Sequence, residues 1–303
     1  MPSTRKIRKI IKSTPTVEGA GVHLRRVFGF NEVQLFDPFL LLDDFRSDTQ
    51  KDYIKGFPWH PHRGIETITY AIDGRIEHGD SLGNQGVIFA GDVQWMTAGS
   101  GIIHQEMPKG DALQRMGGFQ LWANLPKSQK MTMPRYRDVK AESIPLIETE
   151  GGTLIRLICG QLAGKQGPVQ DIFIDPAYMD VTVPSRSEFV HATQKGHTVM
   201  AYVIDGSAAF YPQRGGLREE TPGDGTVDVG GDAVVGNEKL VLYQDGDRVV
   251  VTTEKTGVRF LLISGAPLHE PIAWHGPIVM NTQAELETAF EEYRNGTFIK
   301  HAK

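Results

Sequence analysis

The strongest constraint in this sequence is a series of short β-favouring segments set between glycine-containing turns. Thr67 to Ile72, Val87 to Ala90, Leu154 to Ile158, Val199 to Ile204 and Phe260 to Ile263 are rich in Val, Ile, Tyr and Phe. Segments this short and this frequent predict antiparallel sandwiches or barrels. Helical periodicity is convincing only near the end, where Leu286, Phe290 and Tyr293 share a face. There Thr282 and Glu285 supply a capping box, and Gly296 stands just past the last turn.

The chain of 303 residues is long for one domain, and it echoes itself. Ile68-Thr69-Tyr70-Ala71-Ile72-Asp73-Gly74 resembles Met200-Ala201-Tyr202-Val203-Ile204-Asp205-Gly206, and Gly91-Asp92-Val93 resembles Gly246-Asp247-Arg248. Two echoes in the same order predict two copies of one β-fold. They divide the chain into residues 1–140 and 141–303, with the polar stretch beginning at Arg135-Tyr136-Arg137-Asp138 as the crossover, around residues 135–150.

A net charge of -5 gives no positive field for a phosphate backbone, so direct nucleic-acid binding is not expected. Arg5, Lys6, Arg8, Lys9 and Lys12 crowd the start with isoleucines between them. This reads as a solvated edge strand whose charges discourage further pairing, ahead of an organellar presequence. No run approaches the roughly 18 apolar residues that span a bilayer, and no signal-peptide core follows the basic start. The expected location is cytoplasmic, with the nucleus as the eukaryotic alternative, and no membrane partner is expected. The single cysteine, Cys159, lies in an apolar run and reads as buried packing.

The chemistry resides in two pairs. His60-Pro61-His62 sends two imidazoles to one face of a strand, because side chains alternate with period two. His104-Gln105-Glu106 does the same with an imidazole and a carboxylate, after the turn Ala98-Gly99-Ser100-Gly101. A lone His-x-His is commonplace; two such pairs in glycine-flanked strands form a metal-site pattern. Three nitrogens and one oxygen suit one divalent transition metal, iron(II) first, with Mn, Ni, Cu, Co or Zn also compatible. The lack of thiolates favours open coordination positions over a closed structural zinc site. Glu66 lies four residues after His62 and would share its face on an unbroken strand, so parity leaves Glu66 and Glu106 both open as the carboxylate ligand.

Longer strings carry a resemblance to the cupin superfamily and, within it, to the pirin family. They are Asp37-Pro38-Phe39-Leu40-Leu41-Leu42-Asp43, His60-Pro61-His62-Arg63-Gly64-Ile65-Glu66-Thr67, Gly91-Asp92-Val93-Gln94-Trp95-Met96-Thr97-Ala98-Gly99 and Gly276-Pro277-Ile278-Val279-Met280-Asn281-Thr282. The resemblance implies an all-β fold of two cupin, jelly-roll type barrels with a short C-terminal helix. It implies a metal in the first barrel held by His60, His62, His104 and Glu106, with Glu66 reduced to orienting a ligand from behind. Asp43, Phe57 and Arg63 match positions that line the pocket in pirins, although Phe57 reads equally as core and Arg63 as the partner of an acid. Met96, Phe119 and Trp122 read first as packing.

Transferring the ligand positions through the two echoes puts Ala192, Gln194, Arg259 and Leu261 in the second barrel. That set holds no metal, and His191 and His197 then read as surface or turn residues. The resemblance implies two functional classes. One is a quercetin 2,3-dioxygenase, which cleaves a flavonol with O2 and uses Glu106 as general base. The other is a non-catalytic, redox-sensitive iron protein that binds transcription factors or metabolic enzymes. A monomer is expected.

Overall fold

The computed structural model describes residues 2–211, 217–220, 226–229 and 234–301, with backbone alone at 217–220 and 226–229. It is an all-β molecule whose chain divides into two compact units. One comprises Pro15–Ala141 and Leu268–Lys303; the other comprises Met1–Thr14 and Glu142–Pro267. The expected division at 140/141 therefore misplaces both ends of the chain. Ile7–Lys12 pairs antiparallel with Lys239–Tyr243 and parallel with Leu217–Glu220, so it is an interior strand of the second unit and not an edge. Its apolar positions Ile7, Ile10 and Ile11 are buried, which outweighs the charges between them.

In the first unit a seven-stranded sheet runs Arg135–Val139, Val93–Thr97, Ile65–Asp73, Gly117–Asn124, Phe39–Asp44, Val22–Phe28, Thr14–Glu18. A four-stranded sheet runs Phe57–His62, Ile102–Lys109, Arg75–Asp80, Gln85–Phe89. Apolar side chains from both sheets, among them Leu24, Ala71, Ile76 and Ile88, form a shared core cluster. Arg135–Val139 pairs along the whole of Val93–Thr97, so the segment read as crossover is a strand and the connection begins after it.

The second unit repeats the strand order. Lys239–Tyr243, Thr198–Ala209, Val258–Gly265, Ala177–Val183, Leu154–Cys159 and Leu146–Glu148 follow one another, with Ile7–Lys12 in the place of Arg135–Val139. Glu188–Ala192 pairs with Arg248–Thr252 as Phe57–His62 pairs with Ile102–Lys109. Cys159 is buried, as its apolar context suggests, and its thiol donates to the Val169 carbonyl at 3.2 Å.

The pairings also correct the transfer between halves. Tyr70 pairs with Val93 and Tyr202 with Leu240, which fixes the register of the first echo. Counting on without a gap, Gly246 falls on Gly99 rather than Gly91, and Val249 falls on Ile102. Ile102 pairs with His62 and Val249 pairs with His191. The counterparts of His60, His62, His104 and Glu106 are thus Phe189, His191, Val251 and Thr253. Phe189, Val249 and Val251 lie in the core of that barrel, as this register requires.

The helix Gln283–Arg294 starts at Thr282 with the expected capping box to Glu285. It belongs to the first unit, where Leu286 and Ala289 pack with Ile278, Met280 and Phe298. Tyr293, expected on the buried face, is 40% exposed. Among the described residues no helix is long and apolar enough to cross a membrane.

Candidate metal centre

His60 and His62 come from one strand of the four-stranded sheet and His104 from its neighbour, where His104 pairs directly with His60. The Nε2 atoms converge: His60 to His62 is 3.1 Å and His60 to His104 is 2.9 Å. The other ring nitrogens of His60 and His62 face carbonyl oxygens, Pro58 at 2.8 Å and Pro277 at 3.1 Å. These contacts place the ring proton on Nδ1 and leave Nε2 with a lone pair. Burial, reinforced by the neighbouring imidazoles, pushes His62 and His104 well below the usual histidine range, so both rings are neutral.

Imidazole nitrogens at this spacing, two of them on rings whose proton faces a carbonyl at Nδ1, are poor partners for one another. Right-angled bonds of about 2.1 Å to one transition metal place ligand atoms about 3 Å apart. The donor set and its spacing therefore fit a divalent metal. Among the described residues these three form the one such cluster.

Glu106 lies beside this group. One carboxylate oxygen is 4.0 Å from His104 Nε2, and the other accepts from the Thr69 hydroxyl at 2.9 Å. Burial raises its pKa, against the pull of His60 and Thr69. Thr69 also lies 2.8 Å from Gln120 Oε1, so Glu106 is tethered to the opposite sheet.

Glu66 is elsewhere. The chain leaves the four-stranded sheet at His62 and enters the seven-stranded sheet at Ile65, turning at Gly64 with φ of 78°. A side chain at Gly64 would collide with the Val279 carbonyl, so the close approach also requires glycine. Because the strands belong to different sheets, period-two counting does not carry from His62 to Glu66. The Glu66 carboxylate accepts from Thr97 at 2.6 Å and contacts none of the three imidazoles, contrary to the expected orienting role.

Arg63 also points away from the centre. It pairs with Glu292 at 2.8 Å, donates to the Phe298 carbonyl at 2.9 Å and lies over the Phe298 ring. The pairing with an acid is the correct reading of Arg63, and the pocket-lining one is not. Asp43 and Phe57 do line the cavity at the centre. Asp43 is held by Arg26 through two bonds of 2.9 and 2.8 Å, and burial lifts its pKa to about 6 against that guanidinium.

This cavity has a volume of about 830 Å³, with His60, His62 and Glu106 in its lining. Its walls are aromatic. Trp122, expected only to pack, stands edge-on to His62 with ring centroids 5.0 Å apart. Trp59 and Trp274 were missed; Trp59 adjoins His60 in the chain and is 53% exposed, and Trp274 lies two residues before a segment that carries the resemblance. Met96 and Phe119 are buried core, as expected.

The sequence matches the family model described as Pirin over residues 21–123 and that described as Pirin C-terminal cupin domain over residues 178–299. A "Pirin-like protein" of Caulobacter vibrioides is 41% identical, covering 97% of this chain and 99% of its own. The chain belongs to the pirin family. A Pseudomonas aeruginosa relative named "Putative quercetin 2,3-dioxygenase" is 39% identical over 98% of this chain and 99% of its own. The solved structure of a quercetin 2,3-dioxygenase from Acinetobacter baumannii superposes with a TM-score of 0.84 at 30% identity, covering 98% of this chain and 99% of that one. The fold is accordingly that of a two-cupin pirin.

Proposed function

We propose that this pirin is a metal-dependent dioxygenase that opens a flavonol such as quercetin with O2, with iron(II) as the metal. The observation that carries the reading is the convergence of three imidazole nitrogens beside a buried carboxylate in an aromatic-walled cavity. The names of the Pseudomonas and Acinetobacter relatives support it.

His60, His62 and His104, with Glu106, would hold the metal, which supplies Lewis acidity and a template for the substrate oxygen. Trp122, Trp274 and Phe57 offer flat apolar walls to a planar polyphenol and exclude water from it. Glu106 accepts the proton of the substrate hydroxyl. Burial raises the basicity of its carboxylate, and Thr69 anchors one oxygen, leaving the other toward the imidazoles. Asp43, fixed by Arg26, offers an acceptor on another part of the cavity lining for a second hydroxyl.

Elemental analysis of protein purified without added metal, followed by oxygen uptake and loss of flavonol absorbance, tests this directly. About one metal per chain with turnover is the expected result. One metal per chain without turnover on several flavonols would overturn the enzymatic reading in favour of the iron-dependent binding role.

A further inference from the structure

We propose that the second barrel carries its own, metal-free binding site for a small uncharged polyhydroxylated molecule of monosaccharide size. A cavity of about 410 Å³ opens among residues 159–197 and 264 of that barrel. It is the structural counterpart of the metal cavity. The strand pairings make Trp122 equivalent to Ser264, because Phe119 pairs with Tyr70 and Leu261 with Tyr202. They make Leu41 and Asp43 equivalent to Ala177 and Met179, because Leu42 pairs with Leu121 and Tyr178 with Ile263. His62 is equivalent to His191. All four replacements line the second cavity as the originals line the first.

The substitutions change what such a cavity can hold. Phe189, Val251 and Thr253 stand where His60, His104 and Glu106 would be, so one of the three ligand imidazoles has a counterpart, and among the described residues no second cluster of metal donors forms. The tryptophan wall becomes a serine hydroxyl. Ser264 is 9% exposed and its hydroxyl has no hydrogen-bond partner among the described residues. The hydroxyl opens to the cavity, where it can donate to or accept from a ligand hydroxyl.

His191 likewise lines the space with no hydrogen bond to its ring among the described residues; its ring stacks on Phe189. Burial lowers its pKa to about 4, so the ring is neutral and offers one donor and one acceptor. Thr193 Oγ1 accepts from Arg5 at 2.7 Å, which leaves its hydroxyl proton free to donate. Among the described residues no lysine or arginine lines the cavity, and Asp171 and Asp175 do, which disfavours an anion. Asp175 is already engaged by the Gln194 amide at 3.0 Å. Neutral groups that both donate and accept, behind an acidic rim, match the hydroxyls of a sugar or polyol.

The test is saturation-transfer NMR of the full chain with D-glucose, D-glucosamine and D-gluconate as probes, in wild type, Ser264→Ala and His191→Phe. The expected result is transfer to glucose in wild type that is lost in both variants, while metal content and flavonol turnover stay unchanged. Ser264→Ala is small enough to keep the fold if His191→Phe does not. The proposal is overturned if glucose shows no transfer, if its signal survives in Ser264→Ala, or if gluconate or glucosamine binds in preference to glucose.

Discussion

The Nδ1 of His62 lies 3.1 Å from the carbonyl oxygen of Pro277, a residue more than two hundred positions away. The same C-terminal segment holds the chain on the far side of the ligand: Val279 N donates to Arg63 O, and Lys130 bridges the carbonyls of Gly64 and Val279 at 2.8 and 3.0 Å. Arg63 completes this attachment through Glu292 and Phe298. The C-terminal strap thus sets the tautomer and orientation of a candidate metal ligand from behind.

Arg63→Met should therefore weaken metal binding roughly tenfold without touching a ligand. Competition with a chromogenic chelator measures this. An unchanged affinity would separate the strap from the metal site.

His104→Ala should abolish stoichiometric metal. The side chain is fully buried, supplies one of three nitrogens, and has no substitute on its strand. Metal content per chain falls from about one to near zero while the far-UV circular dichroism is kept. Retained metal would mean that the ligand assignment is wrong.

Glu106→Gln should lower flavonol turnover by roughly 10²–10⁴ as the base is lost, with a smaller fall in metal content than His104→Ala causes. Thr69→Val removes a hydrogen bond that favours the carboxylate form. The acid limb of the pH–rate profile should then move to higher pH. No movement would exclude Glu106 as the titrating base.

Asp43 should make stability depend on pH. Its carboxyl is raised by burial from 3.8 to about 6, so between these values the folded chain keeps a proton that the unfolded chain has released. Its contribution is greatest below pH 4, falls as pH rises toward 6, and is flat above, by at most about 3 kcal/mol. Denaturant midpoints of wild type and Asp43→Asn across this range report the difference. The variant should lack this fall.

The paired imidazoles were legible in the sequence because the period of a strand is local: residues two apart share a face whatever the tertiary structure. The capping box at Thr282 and Glu285 was legible for the same reason. Glu66, Arg63 and His191 were not. Glu66 and His62 fall on strands of different sheets, so a count along the chain says nothing about their relative direction. Arg63 finds an acid in a helix that sequence order assigns to the other half of the chain. His191 was displaced because a count back from the Asp-Gly anchors runs three residues out of step before the echo, which only the ladder of pairings exposes.

By itself, then, the sequence determined the β-class, the repeat and the local His-x-His and His-x-Glu pairs, because turns, alternation and caps are short-range. Tertiary structure decided which strand completes which barrel, which carboxylate lies beside the imidazoles, and that Trp122 and the C-terminal strap meet at His62. Those contacts join residues far apart in the chain, and their energies come from burial and pairing that no local pattern encodes.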